Sequence, residues 1–375
     1  MPVRKAVAFV DFDYPLLFIV AMLVVLGTIM VFSASVIMAE VRFQSPYLFV
    51  IKHIIWVAIG TAALLFFMHF DHRNLQGLAR PLLIVAILGL IAVLIFGPEK
   101  GGAKRWLQWG ILNFQPSELA KLSMVIVLAD FLDRKKSKIK QWNGLVPILS
   151  ILGLFCLLIG LEPDLGTPVI LVGVTFSVLY IAGANMGHIA ALMASCIPFI
   201  VFEIFRKPYR LKRVQSFLES WGDINSTSYQ LNQSILALGS GGFLGKGLAQ
   251  GQLKLLYLPE AHTDFIFPII GEELGYVGSV SVIVLFLFLA WRGWLIGKNS
   301  NDYFGGILAI GLTLLIAFQA LFNLSVACGL LPTKGLPLPF VSFGGTALVI
   351  NLAEIGILLN ISKRITTRQV IYARS

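Results

Sequence analysis

Ten apolar runs, each about as long as a bilayer crossing, dominate the chain and leave few folds open to it. They lie near residues 14–38, 47–68, 81–97, 117–132, 145–161, 167–183, 187–205, 265–291, 305–328 and 341–361. About 20 residues of helix, rising 1.5 Å each, match the roughly 30 Å hydrocarbon core of a membrane. The runs are continuous and do not alternate in short strands, which excludes a porin-type barrel. Charged residues make up 13% of the chain, against about 25% in ordinary soluble domains. The expectation is an all-α polytopic membrane protein of about ten transmembrane helices, a single domain over residues 1–375. The first run is far longer than the roughly 7–15-residue core of a signal peptide and should be retained as a helix.

An even number of spans puts both termini on one side. The loops on that side carry Arg4, Lys5, Arg73, Arg80, Arg134, Lys135, Lys136, Lys138, Lys140, Arg292, Lys298, Lys363, Arg364, Arg368 and Arg374. The positive-inside rule makes this the cytoplasmic side. The net charge of +10 is therefore read as orientation signals and headgroup contacts rather than a nucleic-acid surface, because the basic residues sit in short loops beside apolar spans. Cys156, Cys196 and Cys328 all fall inside apolar segments, with neither a disulfide framework nor a metal spacing.

The opposite side also holds cations. Lys100, Lys104 and Arg105 lie in the third connection. Arg206, Lys207, Arg210, Lys212, Arg213, Lys246 and Lys254 lie in the one large extramembrane segment, about residues 206–264, between helices seven and eight. Long loops cross largely regardless of charge, so the orientation stands and these residues need their own explanation. An anionic substrate is the simplest.

The polar motifs gather on that side. Arg105 is flanked by Trp106 and Trp109 and suits a phosphate near headgroup level, or the tryptophans form a plain interfacial belt. In Gln115-Pro-Ser-Glu-Leu-Ala-Lys121, Pro116 fits a first helical turn. Glu118 and Lys121 then share a face, as an internal ion pair or with Lys121 free for an anion. Asp164, in Glu162-Pro-Asp-Leu-Gly-Thr167, is a candidate helix cap. Leu238-Gly-Ser-Gly-Gly-Phe-Leu-Gly-Lys-Gly247 lacks the Gly-Lys-Ser/Thr ending of a nucleotide loop and reads as a bent loop packed on the bundle. The proline-rich stretch Leu331–Gly345, with Ser342, must be irregular backbone, tolerated at membrane depth only where it is buried in protein or lines a wet cavity.

The stretch Tyr257-Leu-Pro-Glu-Ala-His-Thr-Asp264, leading to Gly271-Glu-Glu-Leu-Gly275, places Glu260, His262, Asp264, Glu272 and Glu273 against apolar sequence. Ionisable groups there are costly and usually functional. Asp264, at the outer mouth of span eight, is a candidate base, with helix capping as the rival role. Glu272 and Glu273 lie two turns deeper and read as supporting or packing groups.

In order, Gln115–Lys121, Pro163–Thr167, Tyr229-Gln230, Leu238–Gly242, Leu258–Phe267, Gly271–Gly275 and the Pro-rich loop resemble the SEDS family of cell-wall polymerases over nearly the whole chain. The Pro259-Glu-Ala-His262 and Leu331–Phe340 forms resemble its cell-division branch more than its elongation branch. Leu165 and Phe343 depart from the usual Phe and Tyr. The resemblance implies a ten-helix peptidoglycan glycosyltransferase that polymerises lipid II on the outer face of the cytoplasmic membrane, with Asp264 as the essential residue. It implies a lipid substrate linked through undecaprenyl pyrophosphate, a class B penicillin-binding protein as transmembrane partner, other division proteins, and a place at the septum. Arg105, Lys121, Arg210 and Arg213 would face the pyrophosphate, with Glu118, His262 and Ser342 lining the substrate site. A divalent ion, Mg or Mn, would share the charge, although no ligand spacing demands one. A lipid II flippase or transporter, with Glu272, Glu273 and Glu354 as a relay, the elongation polymerase, and a scaffold that recruits a transpeptidase stand as alternatives.

Overall fold

A computed structural model describes residues 12–99, 102–109, 112–136, 138–206, 211, 213–217, 229–252, 262–333 and 335–372. Among the described residues ten long helices carry the fold: α1 (Tyr14–Phe43), α2 (Leu48–His69), α3 (His72–Phe96), α4 (Pro116–Arg134), α5 (Trp142–Leu161), α6 (Gly166–Ile181), α7 (Met186–Arg206), α9 (Ile266–Asn299), α10 (Tyr303–Ala327) and α11 (Gly345–Tyr372). The shorter α8 (Tyr229–Ser240) precedes α9, and β1 (Leu107–Trp109) pairs antiparallel with β2 (Leu112–Phe114), Gln108 opposite Asn113.

Each long helix covers one of the ten apolar runs. Seven of them are long and apolar enough to cross a membrane, and the stretches Gly166–Ile181 and Met186–Pro198 are shorter apolar helices. The exception is α4, which bears Glu118, Lys121, Asp130, Asp133 and Arg134 yet is buried along most of its length. Its charges are carried inside protein rather than against lipid, which is what the cost of a charge in hydrocarbon requires.

The boundaries differ from the sequence reading where a cap or a proline intervenes. The third helix starts at His72, not at Pro81: Asp71 caps it by accepting from Arg73 N, and Pro81 sits inside the helix. A proline inside a membrane helix is tolerated because neighbouring groups satisfy the freed carbonyl. The hairpin of β1 and β2 was not expected at all.

The helices are arranged in depth. α4, α10 and α11 form the interior, with α3 and α10 packed on α4, α2 on α11, and α9 on both α1 and α10. By contrast α2 and α3 turn large apolar side chains outward, among them Ile51, Ile54, Phe66, Leu88 and Phe96. At one end of the bundle the α3–α4, α5–α6 and α10–α11 connections meet the turn that leads into α9.

Candidate active site

The turn His262–Phe265 leads into α9. Phe265 holds the N-cap position and makes no side-chain capping bond; Asp264 stands one residue before it, as Asp164 stands one residue before the N-cap Leu165 of α6. Asp264 is partly exposed, while His262 is buried. The His262 ring packs between Phe49, at 4.7 Å, and Phe343, at 5.7 Å.

The proline-rich loop closes over this turn. Phe343 N donates to His262 O at 3.0 Å. Gly335 lies so near that a Cβ there would stand 2.9 Å from Asp264 Oδ2. From α10, Asn323 Nδ2 donates to Asp264 O at 2.9 Å and to Leu336 O at 2.7 Å. Ser342 is buried, its hydroxyl oxygen accepting from Leu338 N at 2.9 Å; it braces the loop from within.

The remaining motifs meet the same loops. Leu336 packs on Gly166, at the start of α6. Asp164 accepts from Gly166 N at 2.9 Å and from Thr167 Oγ1 at 2.7 Å, so it opens α6 as expected of a capping carboxylate. Arg105 donates through Nε to Glu162 O at 3.2 Å and through Nη2 to Pro163 O. The expected phosphate contact thus spends two of its five donors on backbone carbonyls and retains the rest. Thr346, on α11, donates to Asn113 O at 2.9 Å and accepts from Gln115 N at 3.2 Å, tying the hairpin and the start of α4 to the start of α11.

Glu162 is fully buried and both its carboxylate oxygens lack a hydrogen-bond partner. Burial first, and then the neighbouring Asp164, push its carboxyl up to about 9, with Arg105 opposing. It is neutral at physiological pH.

Lys121 Nζ lies 2.9 Å from Glu118 Oε2, and both side chains are buried. Of the two roles open to this pair the structure takes the internal ion pair, and Lys121 is sealed within the bundle. Arg213 is exposed, with Nη1 3.5 Å from Thr333 O in the same Pro-rich segment. Arg210, Lys207, Lys212, Lys254 and Glu260 lie outside the described residues.

Glu272 and Glu273 define a second construction. Gly275 has φ 68° and ψ −162° and breaks α9, a conformation essentially restricted to glycine. In an unbroken helix Glu272 O would accept from Tyr276 N. Instead Tyr276 N donates to Gly242 O at 2.9 Å and Val277 N to Phe243 O at 3.2 Å, while Glu272 O and Glu273 O accept from Lys246 N and Gly247 N. The glycine-rich loop exchanges backbone bonds with the broken helix. The carboxylates reinforce the joint: Lys246 Nζ and Gln252 N donate to Glu272 Oε1 at 2.8 and 2.9 Å. Ala249 N, at 3.0 Å, and Ser33 Oγ, at 2.7 and 2.8 Å, donate to Glu273. The loop packs on the bundle as expected. What the sequence did not announce is that it packs on the two glutamates. Among the described residues no group of three or more His, Cys, Asp or Glu side chains is placed to hold a metal ion.

Together these features define a multi-pass helical membrane protein whose acids, arginines and irregular loops converge at one mouth of the bundle. The chain belongs to the FtsW, RodA and SpoVE family of cell cycle proteins, whose model matches residues 14–367. A probable peptidoglycan glycosyltransferase FtsW of Geobacter metallireducens is 38% identical over 94% of this chain and 95% of its own length. The stage V sporulation protein E of Bacillus subtilis is 37% identical over 94% of this chain and 97% of its own. Among solved structures, the rod shape determining protein RodA of Thermus thermophilus superposes with a TM-score of 0.71 at 27% identity, covering 95% of this chain and 98% of that one. A chain of a peptidoglycan synthase complex, solved for the coordination of polymerization and crosslinking, superposes with a TM-score of 0.77 at 27% identity, over 95% of this chain and 98% of that one.

Proposed function

We propose that the chain is a peptidoglycan glycosyltransferase that polymerises lipid II into glycan strands on the outer face of the cytoplasmic membrane, at the division septum. Its likeness to proteins named as FtsW glycosyltransferases supports this. The observation that carries it is Asp264, a partly exposed carboxylate beside Gly335 of the Pro-rich loop with its backbone carbonyl held by Asn323 of α10, where Glu162, Asp164 and Glu118 are buried. Both termini are cytoplasmic, an orientation supported by the basic loops that share their side.

Asp264 accepts the proton of the GlcNAc C4 hydroxyl on one lipid II. The hydroxyl oxygen attacks C1 of MurNAc on the lipid-linked strand. The bond from C1 to the pyrophosphate oxygen breaks, its electron pair leaves with undecaprenyl pyrophosphate, and C1 is inverted. Base catalysis of this kind contributes about 10²–10⁴-fold. The remaining donors of Arg105, with Arg213 and Arg210, offset charge on the leaving group. A Mg or Mn ion would supply further positive charge beside the leaving pyrophosphate; among the described residues no cluster of His, Cys, Asp or Glu is placed to hold it. Lys121 and Glu118 hold α4 in place, and His262 and Ser342 support the loops from beneath. A class B penicillin-binding protein is the partner through transmembrane contacts, together with other division proteins.

The test is polymer formation from lipid II by purified protein, alone and with its transpeptidase partner. Wild type should give glycan strands on a gel, and Asp264→Asn should lower turnover by about 10²–10⁴-fold while inserting normally. Transport of lipid II without polymer would mark a flippase, and polymer from Asp264→Asn at the wild-type rate would remove Asp264 from the mechanism.

A further inference from the structure

Asn323 is the polar side chain on α10 that reaches both loops at the mouth. Its Nδ2 carries two protons, and each has a carbonyl acceptor: Asp264 O at 2.9 Å and Leu336 O at 2.7 Å. Because both partners are carbonyls, only the amine end of the amide can face them. The other end, Oδ1, is buried without a hydrogen-bond partner. Asn323 itself is 2% exposed.

That arrangement is unfavourable for packing alone. A buried unsatisfied acceptor carries a desolvation penalty that an apolar side chain of similar size would avoid. The gain must come from the two donated bonds. Asp264 O lies just outside α9, before its N-cap residue Phe265, and Leu336 O lies in irregular chain. The two segments then touch directly where Gly335 lies against the Asp264 carboxylate.

We propose that Asn323 is a positioning residue for the polymerisation reaction: by binding the carbonyls of Asp264 and Leu336 with one amine, it sets the Asp264 carboxylate against Gly335 and so fixes where the base meets the acceptor hydroxyl. This rests on the reading of Asp264 as the base. Asn323 touches no substrate; it acts through the backbone of the residue that does. A displacement of about 1 Å at a reacting group costs on the order of 10²-fold, so a side chain that holds the base by its own carbonyl has that much leverage on turnover.

Asn323→Asp is the sharpest variant. It has the same shape, but it turns the shared amine into a carboxylate oxygen facing two carbonyl oxygens. Asn323→Ala removes both bonds without repulsion. Each is purified in lipid nanodiscs and assayed with lipid II over a range of pH beside wild type and Asp264→Asn. Both variants should lose about 10²-fold in kcat with KM for lipid II within about twofold, and the acid limb of the pH–rate profile should move. A role in packing alone would lower kcat only with the folded fraction and leave the acid limb in place; that result overturns the proposal, as does a kcat within twofold of wild type.

Hydrogen exchange on the same nanodiscs keeps the test independent of activity. In both variants the amides of residues 262–266 and of Gly335, Leu336 and Leu338 should exchange faster, while those of α4 and the deeper part of α10 do not change. Unchanged exchange in the two loops overturns the proposal whatever the assay gives. Full polymer from Asp264→Asn overturns the functional reading instead, and the exchange data then decide the loop contact separately.

Discussion

At the scale of single residues, the acids at the mouth are set apart by burial and partners. Asp264 keeps part of its surface open, Asp164 is absorbed into the first turn of α6 by two hydrogen bonds, and Glu162 is sealed without one. The last has a thermodynamic consequence. With its folded carboxyl at about 9 and an ordinary value of 4.5, the folded state binds the extra proton throughout that interval, so stability falls as pH rises from 4.5 to about 9. Glu162→Gln cannot ionise. Its thermal midpoint should decline less across the interval than that of wild type, as unfolding in detergent micelles would read. In sequence, Asp264 and His262 stand in one acidic stretch against apolar residues and Ser342 in a separate proline-rich loop; that the two stretches meet, through Phe343 N and His262 O, was not legible. Nothing there pointed to Asn323, since one asparagine in an apolar helix looks like any packed polar residue until its partners are known. Arg105 was expected at a phosphate, and its grip on the Glu162 and Pro163 carbonyls depends on a loop 57 residues away.

At the scale of elements, the break in α9 matters most. The segment Ile266–Leu274 follows directly on Asp264 and Phe265 and is detached from the membrane-length remainder by the Gly275 conformation. The glycine-rich loop then replaces the lost helical bonds one for one. A methyl group at Gly275 would stand 2.3 Å from Gly245 N and would force a left-handed backbone that L residues avoid, a strain of about 1–3 kcal/mol. Gly275→Ala should therefore lower the thermal midpoint and reduce polymer yield more than tenfold without preventing insertion, measured on purified protein and membrane fractions. Both halves of this joint were visible in sequence as Leu238–Gly247 and Gly271–Gly275. Their pairing was not, because it depends on contacts between stretches about 30 residues apart that no local periodicity encodes. The hairpin of β1 and β2 was missed for a related reason: strands this short carry almost no pattern of their own.

At the scale of the whole molecule, the bundle is fastened at both ends. Opposite the mouth, His72 is buried between α3, α10 and α11, its Nδ1 2.9 Å from Asn360 Oδ1 and its Nε2 3.2 Å from Asp302 Oδ1. The His72 hydrogen bond is the first cause that holds the Asp302 carboxyl down to about 2, assisted by Gly305 N, the His72 charge and Arg73 against the effect of burial. A carboxylate depressed from 3.8 contributes stability above that value and loses it as pH falls toward about 2. Asp302→Asn should be less stable than wild type at neutral pH, with the difference vanishing at the acid end, as thermal unfolding at a series of pH values would show. The ten spans were legible in sequence because apolar length is a one-dimensional property. The order of their burial was not, for the highly charged α4 turns out to lie inside. Thr346 has a consequence for how such a molecule is made. It binds Asn113 and Gln115, more than 230 positions earlier in the chain, and it stands at the start of the last helix. During synthesis the early helices enter the membrane first, and contacts of such long range form last. The mouth therefore stays unassembled until α11 has been inserted, and a half-made chain carries most of the pieces of the site without the site itself.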